Sequence, residues 1–104
     1  MSTDNWAYVY MYNPHLSIIQ NMSFQSEIRQ SLKAKGYASI FNCEAPKSTK
    51  AFLKLIKQCE IAVFLTNYGD KEKELCEEYG LFCYTNLESI PKQSDLYKQF
   101  FKDL

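Results

Sequence analysis

Apolar and polar positions along this chain switch repeatedly between the period of a strand and the period of a helix. Apolar runs at Trp6–Tyr12, Tyr37–Phe41, Ile61–Leu65 and Leu81–Thr85 predict four strands. Between the first two, a polar loop through Asn13, Pro14 and His15 leads to a helix ending at Lys35, with Phe24, Ile28 and Leu32 on its inner face. Gly36 follows where a left-handed cap is wanted. Ser48 is the expected N-cap of a second helix, on which Phe52, Leu55, Ile56 and Cys59 fall at i, i+3, i+4 and i+7. A third helix starts at about Lys71 and places Glu72, Leu75, Cys76 and Tyr79 on one face by the same spacing. Pro91 marks a break, and Leu96, Phe100, Phe101 and Leu104 predict a short closing helix.

Strands alternating with helices imply parallel pairing through right-handed crossovers, because a parallel partner needs a connection long enough to cross the sheet. The expected fold is a single three-layer α/β domain with a four-stranded parallel sheet in the order 2-1-3-4. Its topological switch lies between the first and third strands, and ligands of open α/β sheets bind outside the carboxyl ends of strands at such a point. Tyr12, Asn13 and Pro14 would line that crevice from one side, and Thr66, Asn67, Tyr68, Gly69 and Asp70 from the other.

Glu72 is the residue that draws attention there. It sits in the first turn of the third helix on the inward face, whereas Glu74, Glu77 and Glu78 point elsewhere. Ordinary helix electrostatics is one explanation, since free N–H groups and the positive dipole end favour acidic residues in any first turn. That explanation does not require the inward face. Trp6, Tyr8, Tyr10 and Tyr12 alternate onto one side of the first strand, either as core with hydroxyls at its rim or as phenols that reach the Glu72 site. His15 reads as a loop residue.

The 104 residues, with 46% hydrophobic residues, 15% aromatics and only 3 Gly and 3 Pro, fit one compact core and no disordered class. Twelve basic and twelve acidic residues cancel, so nucleic acid and anionic membranes are not expected partners. Charge is uneven all the same: residues 29–57 hold seven Lys/Arg against Glu44, as expected of a solvated helix stripe carrying Lys47, Lys50, Lys54 and Lys57. Neither a signal sequence nor a run of about 18 apolar residues is present, and the expected location is cytoplasmic. Cys43, Cys59, Cys76 and Cys83 form no CxxC pair, and His15 is the one histidine, so no metal and no cofactor is expected. The cysteines read as small buried hydrophobes, with Cys43 the one placed to be exposed.

Several short motifs resemble the nucleoside 2-deoxyribosyltransferases and the small domains related to them. Tyr10-Met11-Tyr12-Asn13-Pro14 is similar to that family's Tyr-x-x-Gly-Pro, with asparagine for glycine. Leu32, Gly36-Tyr37 and Asn42 are in register with the end of its first helix and its second strand, with Cys43 where proline is expected. Cys59-Glu60-Ile61-Ala62-Val63 looks like its Cys-Asp-hydrophobic start of strand three, and Glu72 stands eight residues before Gly80 as the family's glutamate does before its glycine. Gly69-Asp70-Lys71 replaces the family's small Gly-Ala or Gly-Thr segment. The resemblance implies that Glu72 is a nucleophile attacking the anomeric carbon of a nucleoside and that Tyr10 holds it in place. Tyr12, Asn13, Asn67, Tyr68, Gly69 and Asp70 would then contact the ligand, and the protein would be a homo-oligomer.

Two functions follow from different classes. One is cleavage or transfer of an N-glycosidic bond on a nucleoside or nucleotide, for which a carboxylate suits an oxocarbenium-like transition state. The other is a non-catalytic α/β module that binds a nucleotide signal or a protein. Gly-rich phosphate loops, a Cys-x5-Arg loop and an acidic cluster after strand one are absent from the sequence, which sets aside several other α/β classes.

Overall fold

The alternation of periods is realised in a computed structural model that describes residues 5–42 and 48–96. The elements run β1 (Trp6–Tyr10), α1 (Ile18–Ala34), β2 (Ala38–Asn42), α2 (Thr49–Ile56), β3 (Ile61–Phe64), α3 (Asp70–Glu78) and β4 (Phe82–Tyr84). A 3-10 turn at Gln93–Asp95 follows. All four strands are parallel and lie in the order β2-β1-β3-β4. Val9 sits between Phe41 of β2 and Val63 of β3, so β1 and β3 flank the switch as expected.

Burial follows the pleat. Ala7, Val9, Met11, Ile61 and Val63 face Ile28 and Leu32 of α1, and Ile90 and Leu96 close that side. Tyr8, Tyr10, Ala62 and Phe64 face the other way, against Phe52 and Ile56 of α2 and Cys76 of α3. β1 and β3 are thus covered on both faces, which is why they read as nearly continuous apolar runs. Tyr8 packs edge-on against Phe52 at 5.3 Å between centroids. The segment from Leu87 to Leu96 is held down by polar ties: Lys35 Nζ donates to the Leu87 carbonyl, and the Tyr37 hydroxyl donates to the Pro91 carbonyl at 3.3 Å.

Two side chains fall off their expected faces. Phe24 is 52% exposed although it stands one turn before buried Ile28 on the same side of α1. Tyr79, the C-cap of α3, still donates its N–H to the Leu75 carbonyl but is 57% exposed. Cys59 lies just past α2, not on it, yet still packs half-buried against the Tyr8 cluster. The expected helix over Phe100, Phe101 and Leu104, together with Cys43, Glu44 and Lys47, lies outside the described residues. Among the described residues no helix is long and apolar enough to cross a membrane.

The start of α1 is fixed by a capping box. Ser17 Oγ accepts from the Gln20 N–H at 3.1 Å, and Gln20 Oε1 accepts from the Ser17 N–H at 2.8 Å. Ser17→Ala removes one of two orphan-donor partners and is expected to cost about 1 kcal/mol, read as a lower urea midpoint with an unchanged slope.

Candidate functional site

Beyond the ends of β1 and β3 the two chains remain tied. The Leu65 N–H donates to the Tyr10 carbonyl at 3.2 Å, and Thr66 Oγ1 donates to the Tyr12 carbonyl at 2.7 Å. This extension carries Tyr12 and the loop from Asn67 to Gly69 to the same place, the carboxyl-end side of the switch, where ligands of open α/β sheets bind.

Tyr10 forms its floor. The ring is 1% exposed, and its hydroxyl donates to the Tyr68 carbonyl at 3.3 Å. Gly69, itself buried, lies directly on this ring: a Cβ there would stand 2.8 Å from Tyr10 Cε1. Above the floor, Tyr12 meets Tyr68 edge-on with centroids 6.3 Å apart, and His15 lies 6.0 Å from the Tyr68 ring. Tyr12 is half-buried and Tyr68 exposed, so the rings form a graded aromatic wall. Asn13 shapes the loop beneath His15: its Oδ1 accepts from the His15 N–H at 2.9 Å, a turn that asparagine makes locally.

Glu72 is half-buried in the first turn of α3, one residue beyond exposed Asp70 and Lys71. Its carboxylate lies near enough to the Tyr10 phenol to act on its acidity. Burial first, then the Glu72 charge, then Tyr12, pushes the Tyr10 phenol up to about 12. Glu74, Glu77 and Glu78 line a separate groove of about 690 Å³ with Thr49, Lys71 and Leu75, so Glu72 is set apart from them in space as well as in sequence.

Of the residues anticipated from sequence, Tyr10, Tyr12, Tyr68, Gly69 and Glu72 converge. Asn67 and Asp70 lie exposed on the same loop, and Asn13 is engaged in folding its own turn. The tyrosine expected to hold Glu72 places its hydroxyl on the Tyr68 carbonyl and fixes the loop that delivers α3. His15, expected as a loop residue, lies in the loop with its ring 6.0 Å from that of Tyr68, a contact not anticipated from sequence. The signal for it was the asparagine two residues earlier, whose Oδ1 accepts from the His15 N–H. Among the described residues no group of three His, Cys, Asp or Glu is placed to hold a metal.

Burial pushes the Cys59 and Cys76 thiols up to about 12 and Cys83 up to about 11, so all three are protonated at neutral pH and poor nucleophiles. These thiols and the Tyr10 phenol have folded values above their ordinary 9.0 and 10.0. Their protonated forms therefore favour the native state, and that contribution is complete below about pH 9, where the unfolded chain is protonated too. As pH rises from 9 toward 12 the unfolded chain ionises first, and stability is expected to fall with increasing steepness. Denaturant midpoints measured from pH 7 to 11 should show a plateau followed by this decline; a flat profile would contradict the burial of these groups.

The architecture defines a four-stranded parallel α/β protein whose aromatic and acidic residues gather at the topological switch. No family model, no curated protein and no solved structure matches the chain.

Proposed function

We propose that this protein binds a nucleoside or nucleotide at the carboxyl ends of β1 and β3 and cleaves or transfers its N-glycosidic bond with Glu72 as nucleophile. The observation that carries this reading is a half-buried carboxylate, Glu72, whose charge reaches the buried Tyr10 phenol, beside which the Tyr12, Tyr68 and His15 rings pack. A flat base suits the exposed aromatic wall, and stacking there would bring its sugar toward the first turn of α3. The carboxylate then forms a C–O bond to the anomeric carbon as the C–N bond breaks, with the electron pair leaving on the base nitrogen and a proton arriving from water. Water or a second base attacks the same carbon and frees Glu72. The homo-oligomer implied by the family resemblance and the cytoplasmic location expected from the sequence belong to this same reading.

Binding without turnover is the second reading, favoured by the engagement of the Tyr10 hydroxyl with the Tyr68 carbonyl, which leaves Glu72 without that donor. A thermal-shift and chromatographic screen against nucleosides, deoxynucleosides and nucleotides separates the two. Ligand at about one hundred times its dissociation constant adds roughly 2.7 kcal/mol to the native state. Stabilisation with free base appearing supports glycosyl chemistry, and stabilisation alone supports the module. Absence of any shift would overturn both.

A further inference from the structure

The edge of the sheet at β2 carries a different kind of surface. Among the described residues β2 pairs with β1 alone, and the Ala38 N–H donates to the Asn5 carbonyl at 2.8 Å. Backbone groups alternate sides along a strand, so Ala38 and Ile40 point into the sheet while the N–H and C=O of Ser39 and Phe41 point outward. Natural sheets guard such an edge with charge, proline or a bulge on the strand itself. Ala38-Ser39-Ile40-Phe41 has none of these.

The charge stands beside the edge instead. Arg29 and Lys33, one turn apart on α1, line a concavity of about 530 Å³ with Trp6, Gly36, Tyr37, Ala38 and Ser39, and among the described residues none that lines it is acidic. The Arg29 guanidinium is held 5.0 Å above the Phe41 ring, which fixes one cation over the outer strand. Ser39 Oγ is buried with no hydrogen-bond partner among the described residues. Two cations beside an edge that no described strand covers repel a basic strand and attract an acidic one, so they act as a filter on what pairs there. On the opposite face of the strand, small and exposed Ala38 leaves half-buried Trp6 accessible to an apolar side chain.

We propose that the β2 edge captures an extended acidic segment of a partner protein as a fifth strand. Outward groups of Ser39 and Phe41 would supply the backbone hydrogen bonds, and Arg29 and Lys33 would select acidic side chains on the α1 face. Alternate residues of the segment lie over Trp6 and should be apolar. This surface runs along the outer side of β2, whereas the Glu72 site lies where β1 and β3 end, and it stands whether or not that site is catalytic.

The probe is a fluorescein-labelled peptide of alternating Glu and Val, titrated by fluorescence anisotropy at low salt, with amide shifts of 15N-labelled protein as the second readout. Binding is expected, with the Ser39 and Phe41 amide signals among those that move most. A peptide with Lys for Glu should bind at least tenfold more weakly, as should the R29E/K33E protein. Both positions are exposed, so the variant's melting temperature should match the parent's. A version N-methylated at alternate residues should also lose affinity, since it cannot complete a ladder. Equal binding by the N-methylated peptide would mean a simple anion site and overturn the added strand. Equal binding by the Lys peptide, or none by the acidic peptide at about millimolar concentration, would overturn the proposal outright.

Discussion

Glu72→Gln is expected to abolish base release, by about a thousandfold or more, while leaving the fold and the ligand-induced thermal shift in place. The amide keeps the volume of the half-buried side chain and loses its charge. A neutral amide neither displaces the base from the anomeric carbon nor stabilises positive charge developing on the sugar ring. Glu72→Asp keeps the charge and withdraws it by one methylene, so it should retain part of the rate. The same substitution has a signature in the free protein. Because the Glu72 charge helps to raise the Tyr10 phenol, Glu72→Gln should bring that value down from about 12, visible in an ultraviolet titration of tyrosinate. Full turnover in the Gln variant would remove Glu72 from the chemistry. An unmoved tyrosine titration would place its carboxylate too far from the crevice floor to act there.

Period and spacing carried the sheet almost entirely, since a strand buried on both faces leaves no choice of residue but apolar ones. The Phe52 and Ile56 stripe and the inward Cys76 followed from helix geometry alone. Parallel pairing followed from the alternation of elements, and the order 2-1-3-4 was expected because it is the most frequent arrangement of such a sheet. Periodicity gives the direction of a side chain but not whether another element covers that part of the helix, and Phe24 and Tyr79 were expected inward for that reason. The site divides in the same manner. Glu72 and the strand-one tyrosines were visible because each lies at a position set by local geometry. What each tyrosine touches was not, because the Tyr10 hydroxyl bond to Tyr68 spans 58 residues and depends on the loop after β3. Asn13 was expected at the site from its place after strand one and from the family resemblance. The local hydrogen bond from the His15 N–H to its Oδ1, a use that asparagine commonly finds, was not legible from that position.

Gly69→Ala should be the costliest single-methyl change in the molecule. The backbone gives no reason for glycine here, since φ is −116° and any residue adopts it. The reason is the Tyr10 ring, whose Cε1, Cδ1 and Cζ would lie 2.8, 2.9 and 3.1 Å from the added Cβ. That ring has nowhere to go. Tyr8, Phe64 and Tyr12 surround it at centroid distances of 6.4, 5.7 and 6.4 Å, and its hydroxyl is tied to the Tyr68 carbonyl. Overpacking of this kind costs about 1–3 kcal/mol. The loop must shift to relieve it, and α3 begins at the next residue, so Glu72 moves with the strain. Ligand-induced stabilisation should therefore fall further than the loss of stability explains. A double-mutant cycle isolates the cause: in a Tyr10→Leu background, where the ring is gone, Gly69→Ala should cost at least 1 kcal/mol less than in the parent, as expected for residues in direct contact. Equal costs in the two backgrounds would mean that the ring is not what requires glycine. Glu72 would then be positioned by something other than the packing of this loop on β1.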